Sequence, residues 1–239
     1  MDQGPGAGSA AWSLRSRGPA HAVSHRCLDV QRSARPRRFF GSLFGVDPLH
    51  PDAVAWYRGA LRERHVGGIL GGLGREWRVL HAIPHGDGDI DHLVIGPPGV
   101  VTITAAGRVT AEVEARAASR SLTRATGVPI VAEAIVVVDG PSLDRDGPAV
   151  VPARRLVRHL RDLPRVFDPD LVASVARVAE EWTTWRPFGV DAGHSDPDDD
   201  FERLHEEVTR ARTRRRLWQL AGLTVLAATV FTVASGPFV

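Results

Sequence analysis

Apolar residues recur along this chain in three rhythms. Between 51 and 73, Val54, Ala55, Leu61, Val66, Ile69 and Leu70 fall at helical spacing, which predicts an amphipathic helix closed by Gly71 and Gly72. Three shorter runs at 77–83, 90–95 and 100–104 read as strands. The linkers between them, His85-Gly86-Asp87-Gly88-Asp89 and Gly96-Pro97-Pro98-Gly99, supply the backbone angles of hairpin turns. Further on, the spacing predicts a helix over 111–126, a strand over 129–138 whose nearly continuous apolar run marks it as buried, and helices over 154–163 and 168–185. Asp168-Pro169-Asp170 is a start signal for the last of these, with proline in the first turn and acids against the macrodipole. The expected fold class is α/β (mixed α+β): a mixed sheet flanked by helices, over residues 52–187.

The flanks follow other rules. Residues 1–38 are Gly, Ala, Ser, Pro and Arg with few large apolar side chains, a composition that reads as a disordered N-terminal segment. Phe39, Phe40, Leu43 and Phe44 mark 39–51 as a linker or arm packing on the domain, with a membrane-surface contact as the alternative. Residues 188–216 read as an acidic loop and a juxtamembrane helix. Asp196, Asp198, Asp199 and Asp200 fit loop and helix-start acids better than a calcium loop, because no glycine stands at the required position. Phe201, Leu204, His205 and Val208 then begin an amphipathic helix that ends in Arg210, Arg212, Arg214, Arg215 and Arg216. The third rhythm is unbroken: 217–238 carries no charge and predicts one C-terminal transmembrane helix, with a buried helix as the alternative. Arginines just before such a span place the main domain in the cytoplasm. Ala221, Gly222, Ala227 and Ala228 offer small side chains for helix packing.

Composition narrows the chemistry. The 239 residues hold 30 basic and 28 acidic side chains, so a nucleic-acid-coating protein with a large basic excess is excluded. All the basic residues are arginine, which removes Schiff-base, lysine general-base and P-loop chemistry. The single Cys27 excludes an internal disulfide and any multi-cysteine metal site.

The run DIDHLVIGPPGV at 89–100 closely resembles the centre of the nuclease-related domain (NERD) family. GALRERHVG at 59–67 is similar to that family's first-helix motif, and WRVLH at 77–81 to its first strand. ARRLV at 153–157 and TTW at 183–185 look like actinobacterial members. The resemblance implies a restriction-endonuclease-like core of the PD-(D/E)xK type and metal-assisted phosphodiester hydrolysis. In that chemistry an aspartate and a second acid hold Mg²⁺, and a lysine two residues further along the strand shares their face. Carried over, Glu63 takes the first-helix acid position and Asp91 the hairpin aspartate, which is also the candidate metal ligand. The positions of the second acid and the lysine are Thr104 and Ala106, a neutral hydroxyl and a methyl. Arg108 is the nearest cation, able to stabilise charge but not to accept a proton. Seven residues separate Ala106 from Glu114 on the next helix, fewer than the family usually has.

Each candidate has an ordinary reading beside the functional one. Glu63 fits a polar helix face paired with an arginine. Asp87 and Asp89 fit turn residues, and Trp182 and Trp185 fit core anchors. His81, His85 and His92 lie near the acids, but no spacing enforces a zinc site. Asp91 is the exception: it shares a strand face with Leu93 and Ile95, where an acid needs a partner or a metal. The expected function is a membrane-tethered, catalytically degenerate nuclease-like domain binding nucleic acid or protein, with no cofactor. The alternatives are a working nuclease using Mg²⁺ through Glu63 and Asp91, and an adaptor for membrane proteins.

Overall fold

Gly96 and Gly99 pair across a two-residue Pro97-Pro98 turn, and this hairpin sets the register of the sheet. Gly99 takes the left-handed region at φ 108°, while a methyl on Gly96 would lie 2.3 Å from the Trp77 ring. Both glycines are therefore required, one by backbone angle and one by close packing.

The computed structural model describes residues 14–33, 46–86, 88–141, 147–185 and 197–234. The elements are α1 (His21–Arg32), α2 (Ala53–Leu70), β1 (Arg78–His85), β2 (Gly88–Gly96), β3 (Gly99–Thr104) and α3 (Arg108–Thr126). They continue with β4 (Ala132–Val138), β5 (Ala149–Pro152), α4 (Leu156–Asp162), α5 (Pro169–Glu180), α6 (Trp182–Trp185) and α7 (Asp198–Ala234). The strands form one mixed sheet in the order β1-β2-β3-β4-β5. β1, β2 and β3 are an antiparallel meander, and β3, β4 and β5 run parallel. The α/β class expected from the pattern is what the chain adopts.

The sheet buries both faces. Leu93, Ile95 and Val100 pack with Ala118 and Leu122 of α3 and Val175 and Ala179 of α5. Val94, Val101, Ile103 and Ile135 meet Val66 and Leu70 of α2 and Leu156 and Leu160 of α4 on the other face. A third cluster lies outside α2, where Cys27 and Leu28 of α1, Tyr57 of α2 and Phe201 and Val208 of α7 come together. Burial in this cluster pushes the Cys27 thiol up to about 11, which leaves it unreactive.

Several expectations need correction. Residues 14–33, read as disordered, instead form a short 3-10 turn and the helix α1. Its inner face is Ser24, Cys27 and Leu28, too small to mark a helix until α2 and α7 cover it. Phe39, Phe40, Leu43, Phe44, Asp87 and Asp196 lie outside the described residues. The strand expected over 129–138 starts at Ala132, and the helix expected from 111 starts at Arg108. The helix expected over 168–185 breaks at Glu181, whose backbone is extended, and resumes at Trp182. Its start is as expected: Asp168 accepts from the Leu171 N–H at 2.8 Å and Pro169 opens the first turn. Trp185 is a core anchor, 4% exposed and donating to the Ala179 carbonyl at 2.9 Å.

The C-terminal helix also departs from expectation. α7 is 37 residues long and continuous from the acidic start to Ala234. Asp198, Asp199 and Asp200 occupy its first turn, against the positive end of the helix dipole. Among the described residues no helix is long and apolar enough to cross a membrane, so the transmembrane helix over 217–238 has no support there.

Candidate functional site: a buried carboxylate cluster

Asp91 lies where the sheet is least regular. β1 and β2 pair from Arg78↔Ile95 to His81↔His92 and resume at Ile83↔Ile90, leaving Ala82 and Asp91 out of the ladder. Ala82 takes a positive φ of 48° there, an uncommon angle for a side chain with a Cβ. The Thr104 hydroxyl, at the end of β3, donates to the Asp91 carboxylate at 2.5 Å. The Ala105 N–H also donates to Asp91, and the Ala106 N–H donates to the Thr104 hydroxyl at 3.1 Å. The β3 terminus thus folds over the aspartate.

Two glutamates complete the cluster. Glu63 comes from α2 and Glu114 from α3, the helices on opposite faces of the sheet, and they are 8% and 4% exposed. Glu114 accepts weakly from the Asp91 N–H at 3.4 Å, and its other oxygen is buried without a partner. Burial pushes both glutamates well above the usual carboxylate range, and the Asp91 charge adds to this. Asp91 is pushed up too, chiefly by burial, against the lowering effect of the Thr104 hydrogen bond. Arg62, next to Glu63, lowers both Glu63 and Asp91 without cancelling the burial. At neutral pH the glutamates are therefore protonated.

The structure brings Glu63, Asp91 and Thr104 together. Arg108 is not with them. It opens α3 and reaches toward Gly147, whose added methyl would lie 3.3 Å from the guanidinium. Arg62 is instead the cation acting on the cluster. Glu114 is the other residue missed: 23 positions from Asp91 in sequence, it returns because α3 starts two residues after Ala106.

Among the described residues the histidines are not gathered into a metal-holding group. His81 and His92 face each other across β1 and β2 with their Nδ1 atoms 2.8 Å apart, one donating and one accepting. Burial lowers them to about 4 and 3, so both rings are neutral, and the Nε2 of His92 is buried without a partner. Among the described residues no group of three His, Cys, Asp or Glu is arranged to hold a metal ion. The carboxylates do not fit Mg²⁺ as they stand: Asp91 accepts from Thr104 and from the Ala105 N–H, and the neutral Thr104 hydroxyl stands where a second carboxylate would share the metal. No family model, curated protein or solved structure matches the chain.

Proposed function

We propose that the chain is a nuclease-related domain that no longer cuts and works as a membrane-tethered binding module for nucleic acid or protein. The observation that carries the first half is Thr104. A nuclease of the type that 59–100 resembles needs a second carboxylate there, free to share a metal with Asp91. The Thr104 hydroxyl bonds to Asp91 instead, and the neighbouring glutamates hold protons.

The test is cleavage of single- and double-stranded DNA and RNA by the purified full chain with Mg²⁺ or Mn²⁺. The expected result is no more cleavage than Asp91→Ala shows. Metal-dependent cutting that Asp91→Ala abolishes would overturn the reading. A working site would favour Glu114, whose carboxyl reaches the Asp91 N–H, as the missing acid.

The tether rests on α7. From Leu217 to Phe231 its apolar side chains are exposed on every side of the helix, Trp218 at 49% and Phe231 at 71%. A protein partner would need one apolar stripe; an all-round apolar surface suits lipid. Arg215 and Arg216 stand where headgroups would meet this run. The full chain is expected to float with lipid vesicles in a density gradient, and a chain ending at Arg216 to stay at the bottom. Equal flotation of the two would remove the tether from the proposal.

A further inference from the structure

Next to the carboxylate cluster is a cleft of about 360 Å³ that the reading above leaves unused. Arg62 and His65 of α2 form one wall, with Leu61 and Val66 behind them. Val137, Val138 and Asp139, at the carboxyl end of β4, form the facing wall, and Ala105 closes the side next to Thr104. Crevices beyond the carboxyl ends of parallel strands are where α/β sheets hold ligands. β3 and β4 are such a parallel pair.

The lining sets the ligand's chemistry. Arg62 and His65 are one helical turn apart, so both project into the cleft from the same face of α2. Neither is spent on an ion pair among the described residues. A guanidinium beside an imidazole recognises a phosphate or carboxylate by paired N–H donors. The facing wall is different: Asp139 accepts hydrogen bonds and repels an anion, so it suits a hydroxyl or amino group at the ligand's other end. Between them, the valines offer an apolar surface for a flat ring. The volume is at the small end of the range for small-molecule sites, which excludes a duplex as the occupant.

We propose that this cleft binds a nucleoside monophosphate, its phosphate on Arg62 and His65 and its sugar or base polar groups on Asp139. The inference rests on the non-cutting reading and names its ligand: the chain holds a single nucleotide, free or at the end of a strand, beside a site that does not hydrolyse it.

Titration calorimetry of the full-length chain with adenosine monophosphate and with inorganic phosphate tests this. The expected result is saturable binding of adenosine monophosphate, tighter than phosphate by roughly tenfold or more. Arg62→Ala should weaken both ligands by about tenfold or more, while Asp139→Asn should weaken adenosine monophosphate and leave phosphate unchanged or tighter. No heat with adenosine monophosphate, or unchanged binding in Arg62→Ala, overturns the proposal. Equal affinity for the two ligands overturns its nucleoside half. A single-stranded oligonucleotide in the same cell separates the two readings. Oligonucleotide bound and uncut, with no mononucleotide binding, removes the cleft but keeps the binding module.

Discussion

Glu114→Gln is expected to stabilise the protein, and to do so more at pH 8 than at pH 5. Glu114 and Glu63 are each pushed up to about 9 by burial, while an unfolded chain ionises the same groups near 4.5. Between those values the native state keeps protons that the unfolded state releases. Unfolding therefore gains as pH rises, by about 1.4 kcal/mol per pH unit for each group that fully follows this pattern. Asp91, pushed up to about 6, adds to the slope only at the acid end of that window. His81 and His92 act in the opposite sense. They are held below their ordinary 6.5, so their contribution is complete above 6.5 and lost as pH falls toward 4 and 3. The two slopes oppose each other below 6.5, and only the carboxyl slope remains above it. Stability should therefore fall from about pH 6.5 to 9, and Glu114→Gln, which cannot ionise, should flatten that limb. By urea denaturation the gain is expected to grow from pH 5 to pH 8 by up to about 4 kcal/mol, the limit that about 1.4 kcal/mol per pH unit sets over three units. A flat wild-type profile from 6.5 to 9, with no gain in the variant, would mean the glutamates are charged and neutralised by a cation. Stabilisation by Mg²⁺ that Glu114→Gln abolishes would then identify that cation.

The parts of this fold that could be read from sequence are those whose signal is local. The β2–β3 hairpin is legible because GPPG fixes the turn and the alternation fixes the faces. Asp91 on the Leu93 and Ile95 face follows from the same period of two. What escaped depends on distant partners. β5 is a four-residue strand whose parallel register on β4 follows a crossover, with no turn to reveal it. α1 has a face of Ser24, Cys27 and Leu28 that becomes a core only against Tyr57 and Phe201. Glu114 reads as one polar residue among many on α3 until the sheet places it at Asp91. Arg108 and Arg62 are both near a candidate acid in sequence. Only the direction of each helix decides which one faces the cluster.

Phe201→Ala is expected to cost about 3–5 kcal/mol. Phe201 is fully buried, stacks on Tyr57 with centroids 5.6 Å apart, and lies under the Arg64 guanidinium at 4.4 Å. It is the centre of the contact that docks α7 on α2. Around it the Tyr57 hydroxyl meets His205 Nδ1 at 2.6 Å, and Arg64 pairs with Asp198 at 2.6 Å and with Glu202. Arg64 is the better buried partner in those pairs, so its charges do more than an exposed bridge would. Removing the ring leaves a cavity, loses the cation–π contact and frees Arg64 from its seat. The site is affected indirectly, because α2 also carries Arg62 and Glu63. A helix clamped by the sheet on one side and by α1 and α7 on the other holds those two side chains in place; with α7 undocked, the contacts to the sheet and to α1 remain. Denaturant unfolding should show the loss, and hydrogen exchange should show faster opening of α2 than of β2 and β3 in the variant. Uniform acceleration across the sheet would mean that α7 stabilises the whole domain as one unit and does not specifically clamp α2. A loss below about 1 kcal/mol would mean that α7 is not docked as described.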